Sequence, residues 1–244
     1  MIRARIVQWQ DGAVSPAQTT VRFRSPRSNS GHGYTPIDVK SLVVRPVPPN
    51  VIKPLIVEHH YLHCMPSACW RCFGVYLGDQ LMGAVVFTAG PRHGHRILSG
   101  AKPQQVPVLA RLWLSDALPR NSESRVISIV IRLLRRDRQW KMLLSYADPA
   151  AGHSGIIYRA SGWLYLGIGQ PSRYLDLGDG KLVHPRTAYG RLGTNSLGHL
   201  RRTGVLARTI VQAGKHRFVY ILDPAWRWRL RDPVLPYPGK AGTP

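Results

Sequence analysis

The chain has 244 residues, 44% of them apolar, enough for one large domain or a domain of about 150 residues with extensions, which excludes wholesale disorder. Lysine and arginine number 34 against 12 acids, a formal charge of +22 with a pI near 11.0. An anionic partner follows, nucleic acid first and an anionic membrane surface second, while the absence of any run near ~18 apolar residues excludes a membrane-spanning helix.

The opening stretch MIRARIVQWQDG has no apolar signal region, and 3 cysteines cannot all pair with one another, so a reducing cytosol is the expected compartment. Residues 1–50 mix short apolar stretches with Pro, Ser and Arg, and 12–37 hold no acid. This predicts a basic, weakly ordered arm, with an edge strand starting at Val43 and Val44 as the alternative. Residues 73–77 (FGVYL) and 81–87 (LMGAVVF), joined by Gly78-Asp79-Gln80, read as a hairpin. Residues 106–114 suggest a third strand. A helix is expected to start at Asn121 or Ser122, with Val126, Ile127, Val130, Leu133 and Leu134 on its core face and Arg125, Ser128, Arg132 and Arg135 opposite. The apolar run 142–147 (MLLSYA) predicts a buried strand ending at Asp148-Pro149, followed by a short helix closed by Gly162. On that helix Ile156, Ile157 and Ala160 form the predicted packed stripe, with Tyr158 about 100° round from Ile157. Residues 163–167 start further strands, and 181–220 read as basic turns alternating with short β-prone runs. The five prolines of 224–244 make a tail that wraps the surface. Hairpin, strand, helix, strand, helix predicts an α+β or α/β domain with a mixed sheet. There is no internal repeat.

Several residues could carry chemistry. Asp148 lies just beyond a buried strand, where side chains face the crevice at a strand's carboxyl end, and Tyr158 could reach the same crevice. Asp148 could equally cap a helix before Pro149. His60-Tyr61 could bind substrate or simply pack, and His153, close to Asp148 in sequence, could relay a proton. His59, His60 and His63 beside Cys64, Cys69 and Cys72 invite a zinc or iron reading. The C-x4-C-x2-C spacing lacks the paired knuckles of structural zinc sites, however, and no metal site is assigned. The loop PRHGHR, with Gly94 between His93 and His95, could touch phosphates. Arg201, Arg202, Arg208, Lys215, His216 and Arg217, interleaved with Phe218, Tyr220, Trp226 and Trp228, have the makings of a surface where cations hold phosphates and rings stack on bases.

The spacing from Tyr158 to Gly162-Trp163 resembles the end of the fourth helix in GNAT acyltransferases, where a tyrosine protonates the leaving group. The order His60-Tyr61, Met65-Pro66, the hairpin FGVYLGDQLMGAVVF, the stretch 121–128 (NSESRVIS) and the stretch 146–163 resembles the Mom family of bacteriophage DNA-modification proteins over roughly residues 55–220. The resemblance implies an α+β fold with a GNAT-like, mostly antiparallel central sheet flanked by helices. It divides the chain into a basic arm (1–50), a catalytic domain (51–223) whose β-rich part 181–223 contacts DNA, and a Pro-rich tail (224–244). The implied activity is replacement of a proton on adenine N6 by a carbamoylmethyl group, in the host cytoplasm, shielding phage DNA from restriction. Arg111 would hold an anionic donor or phosphate, Ser124 would bond substrate, Asp148 would accept the amino proton and Tyr158 would donate to the leaving group. His60, Tyr61, Ser128 and His153 would bind substrate, and Arg201, Arg202, Lys215 and Arg217 would bind double-stranded DNA. The glycine-rich pyrophosphate loop of GNAT enzymes is missing from 118–125 (LPRNSESR), so coenzyme A is doubtful and the small-molecule or carrier-bound donor stays open. The rival readings are a non-enzymatic phage DNA-binding protein on the same scaffold and a coenzyme A-dependent acyltransferase acting on another amine.

Overall fold

A computed structural model describes residues 37–178 and 182–238, so most of the expected arm and the last residues of the tail lie outside it. In chain order the strands are β1 (Leu42–Pro46), β2 (Cys69–Leu77), β3 (Gln80–Thr88), β4 (Val108–Leu114), β5 (Met142–Ala147), β6 (Leu164–Ile168), β7 (Ser172–Asp176), β8 (Leu182–Val183), β9 (Arg208–Gln212) and β10 (His216–Ile221). The helices are α1 (Pro49–His59), α2 (Ser122–Arg136), α3 (Ile156–Ala160), α4 (Pro185–Leu192) and α5 (Leu197–Arg202).

Seven strands form one sheet in the order β1-β2-β3-β4-β5-β10-β6, and three form a small sheet, β8-β7-β9. Every pair in the large sheet is antiparallel except β4 with β5. This is the mixed, mostly antiparallel α+β architecture expected. The predicted hairpin is β2 and β3, and Val43 and Val44 belong to the edge strand β1 paired with β2.

β5 is apolar throughout because it is covered on both faces. Leu143 and Ala147 pack under Val126, Ile127, Val130 and Leu134 of α2, while Met142 and Leu144 face Leu98, Val106 and Val219 beneath Trp226 and Leu230. Each of the buried α2 side chains contributes about 2 kcal/mol of hydrophobic stabilisation. α1 lays Ile52, Leu55 and Ile56 on Cys72, Ala84 and Val86. The tail is tied down by bridges from Leu230 to Leu98 and from Leu235 to Tyr165.

Where basic turns were expected, α4 and α5 cover the small sheet, burying Leu175, Val183, Ala188, Leu200 and Leu206 together. No helix among the described residues is long and apolar enough to cross a membrane.

Candidate active site

β4 and β5 are paired only at Val108 with Leu144 and Leu109 with Ser145. Beyond that point a cavity of about 360 Å3 lies between the strands, within the range of small-molecule sites. Arg111 and Trp113 of β4, Tyr146 of β5, His60, Tyr61 and the stretch 152–158 line it.

Tyr158 reaches this cavity by a route different from the one its spacing predicts. Ile156 is 65% exposed and Ala160 is exposed, whereas Tyr158 is the buried residue of α3 at 7%. Five residues are too few for a helical stripe to form, and the large ring takes the core position against Trp163 (5.0 Å) and Phe218 (4.9 Å). Gly155, with φ of 78°, starts the helix and leaves room for Phe218 where a Cβ would stand. Ser145 Oγ lies 2.7 Å from the Tyr158 hydroxyl and 3.0 Å from the Leu109 carbonyl, so a fully buried serine joins the tyrosine to the last paired residue of β4. Burial pushes the Tyr158 phenol up to about 12, against a lowering by the Ser145 hydrogen bond. It is a neutral proton donor at physiological pH.

His60 is 5% exposed, and its Nδ1 accepts the Leu62 N–H at 3.1 Å. Burial first, then the charges of Arg111, His153 and His63, lower its pKa to about 4. A neutral ring accepting at Nδ1 carries its proton on Nε2. Because the folded ring binds its proton less well than the ordinary 6.5, stability is complete above that value and falls as the pH drops towards about 4. The melting temperature is therefore expected to decline over that window, and a His60→Asn variant to lose this part of the decline; thermal denaturation between pH 4 and 8 checks it.

Tyr61 stacks on His60 (4.5 Å) and touches His153 (5.1 Å), which is exposed. Burial raises the Tyr61 pKa, and Lys215, Asp148, Arg111 and Tyr174 all act on it electrostatically. Arg111 donates through Nε to the Cys64 carbonyl (2.9 Å) and through Nη1 to the Ala110 carbonyl (2.7 Å). Those bonds fix the guanidinium at the cavity, and among the described residues it forms no ion pair with an acid.

The four residues expected to act together are divided. Arg111 and Tyr158 line the cavity, but Asp148 is not part of its lining. Asp148 Oδ2 pairs with Lys215 Nζ at 2.6 Å, and Oδ1 accepts the Ala150 N–H at 3.0 Å, capping the 3-10 turn that follows β5. Ser124 lines a second hollow of about 410 Å3 that shares Leu114, Asp116, Glu123, Ile156 and Ile157 with the first. Its Oγ donates to the Asn121 carbonyl at 3.0 Å. Ser128 is exposed beyond it, donating to the Ser124 carbonyl at 2.8 Å. In place of a glycine, Asn121 takes the left-handed conformation, φ 70°, before α2. No side chain caps α2; the Ser122 and Arg125 N–H groups go to the Pro119 and Asn121 carbonyls, and those of Glu123 and Ser124, with Arg120 lining the second hollow, could hold a phosphate-bearing donor.

Of the expected DNA-binding residues, Arg201 and Arg202 end α5 and are exposed. Lys215 is bound to Asp148, and Arg217 is held by Asp232 (2.7 Å) and the Leu166 carbonyl (2.6 Å). Among the described residues no group of three or more His, Cys, Asp or Glu side chains could hold a metal ion. Cys72 is buried in the α1 cluster, and burial with neighbouring Cys69 pushes its thiol up to about 12, a poor state for metal ligation.

Sequence reasoning missed Ser145, Asp116 and Glu123 as site residues. A serine inside an apolar strand carries no signal of its own, and the two acids are recognisable only once β4 and α2 are seen to open onto one hollow.

Against this geometry, the model of the Mom protein family matches residues 41–239. The chain belongs to the Mom protein family. Its Mom-family relatives include "Methylcarbamoylase mom" of Escherichia phage Mu, 29% identical over 207 residues, covering 82% of this chain and 84% of the relative. Solved structures align more loosely: Arabidopsis thaliana NAA60 in complex with acetyl-CoA at 11% identity and TM-score 0.46, covering 74% of this chain and 99% of that one. Spermidine N-acetyltransferase from Vibrio cholerae aligns at 8% identity and TM-score 0.44, covering 78% and 98%. The family match and the relative's name, a methylcarbamoylase, support a transferase-type enzyme.

Proposed function

We propose that the protein transfers a carbamoylmethyl group to N6 of adenine in double-stranded DNA, in the host cytoplasm, so that restriction enzymes no longer recognise the phage genome. The observation that carries this reading is the Tyr158 hydroxyl, neutral and positioned by Ser145, at a cavity that opens where β4 and β5 part. Family membership and the phage Mu relative support this choice of substrate class.

The reaction forms an N6–carbon bond, removes a proton from N6 and sends a proton to the donor's leaving group. Tyr158 gives that last proton. His60 donates from Nε2 and Arg111 supplies positive charge, so both bind and polarise the donor. Tyr61 passes the N6 proton towards Asp148, whose ion pair with Lys215 opens when DNA phosphate draws the ammonium away. Ser124 and Ser128 contact the substrates along the second hollow, and His153 closes the rim beside Tyr61. In a duplex N6 is paired and faces the major groove, so the adenine leaves the stack to enter the cavity.

Expression in bacteria followed by digestion of the DNA to deoxynucleosides tests the reading by mass spectrometry. Deoxyadenosine with an added carbamoylmethyl mass is expected with the parental protein and not with Asp148→Ala. Unmodified deoxyadenosine from cells holding folded, DNA-binding parental protein would reject it.

A further inference from the structure

The loop 91–103 and the turn Pro224–Arg229 with the two residues after it form a single surface on the face of the sheet opposite α2. The Leu98–Leu230 bridge joins them, with Ser99 N–H donating to the Arg229 carbonyl (2.8 Å) and Arg231 N–H to the Ile97 carbonyl (2.9 Å). Arg231 Nη2 also donates to Ser99 Oγ at 3.4 Å. Arg92, Arg96, Arg227 and Arg231 are exposed and Arg229 is half-buried.

Neither segment contains an acid, and the sequence between Asp79 and Asp116 contains none either. The flanking acids are already used: Asp223 pairs with Lys141 at 3.0 Å and Asp232 with Arg217 at 2.7 Å. No ion pair among the described residues involves the five arginines. His93, exposed among them, is held below its ordinary pKa by Arg96 first, with Arg92 and His95 adding to the effect. So much unbalanced charge in one place is costly for a folded monomer and attractive to a polyanion.

The aromatic arrangement narrows the partner. Arg229 Cζ stands 4.5 Å from the Trp226 ring centre and 4.7 Å from that of Trp228. Stacking uses the faces of the guanidinium and leaves its edge N–H groups for a phosphate oxygen. Trp228 is 76% exposed, so folding leaves its indole in water with a flat face available to a sugar or base.

We propose that this surface, Arg92, Arg96, Arg227, Arg229, Arg231 and Trp228, is a nucleic-acid backbone site separate from the cavity, which grips the DNA whose adenine is being modified. It rests on the reading of DNA as substrate. It places the main backbone grip on arginines that have no acid partner, whereas Lys215 is paired with Asp148 until phosphate draws it away and Arg217 is paired with Asp232.

Fluorescence anisotropy with a labelled duplex, at several salt concentrations, tests it on the full chain. An R227A/R229A/R231A variant is compared with K53A/R132A/R136A, which removes the same charge from exposed helix positions elsewhere. The patch variant is expected to lose about 10–100-fold in affinity at ~0.1 M salt and to flatten the logarithmic salt slope by about 2–3, the control much less. W228A is expected to weaken binding without altering the slope. Equal losses in the two triple variants, or an unchanged slope in the patch variant with melting temperature preserved, would overturn the proposal. Parental protein that binds duplex but leaves deoxyadenosine unmodified would instead remove the modification reading and leave this surface intact.

Discussion

A Tyr158→Phe variant is expected to fold and bind DNA while losing about 10²–10⁴-fold in adenine modification, the range for removal of a general acid. The ring is retained, so its contacts with Trp163 and Phe218 survive, and Ser145 keeps the Leu109 carbonyl as an acceptor. Only one hydrogen bond disappears, a stability change of about 1 kcal/mol. Single-turnover rates, with thermal denaturation of the same preparation, separate the two effects. A variant that modifies DNA at the parental rate would leave the leaving group without its proposed proton donor. Because the Tyr158 phenol is pushed up to about 12, the parental rate is not expected to fall at pH 8 or 9 through ionisation of this residue.

The second large effect is structural and lies three residues earlier, at the start of the same helix. Gly155→Ala puts a Cβ against the Phe218 ring, at a φ of 78° that side chains rarely adopt. The backbone strain costs about 1 kcal/mol and the overpacking about 1–3 more. Phe218 also contacts Tyr158 and Tyr165, so its displacement disturbs the proposed general acid as well as the core. A fall in denaturation midpoint of this size, accompanied by loss of modification, is expected; an unchanged midpoint would show that the ring has space the geometry denies it. Gly152→Ala provides the comparison, since it shares the positive φ but has nothing within 4 Å of its Cβ.

The parts of the molecule legible in its sequence are those with room for a period. The fifteen residues of α2 display their core face openly, and the strands β2, β3 and β5 announce themselves by apolar runs between turn residues. Short elements fail this test. α3 has five residues, and its apolar letters suggested Ile156 as core when Tyr158 occupies that place. α4 and α5, PRTAYGRL and LGHLRR, contain glycine and arginine where a helix would show a stripe, and only their burial against the small sheet reveals them.

The site shows the same division. Local motifs picked out His60, Tyr61, His153 and Tyr158, and the family resemblance added Arg111; all five line the cavity. The partners that set their chemistry come from distant chain positions, which no local pattern records. Ser145 reaches Tyr158 from the adjoining strand, and Lys215 meets Asp148 across 67 positions, 215 less 148. An aspartate at a strand end looks free when read alone and proves to be committed once its partner folds against it.

The early parting of β4 from β5 gives the free protein an incomplete sheet. Each strand keeps its outer neighbour, β3 on one side and β10 on the other, so neither loses its place when the inner edges separate. Every second amide of β4 past Leu109 therefore points at an opening instead of a strand. A guest ending in a carboxamide, as the proposed transferred group does, would meet a row of backbone donors and acceptors already held in line and would extend the ladder without any part of the fold having to be undone.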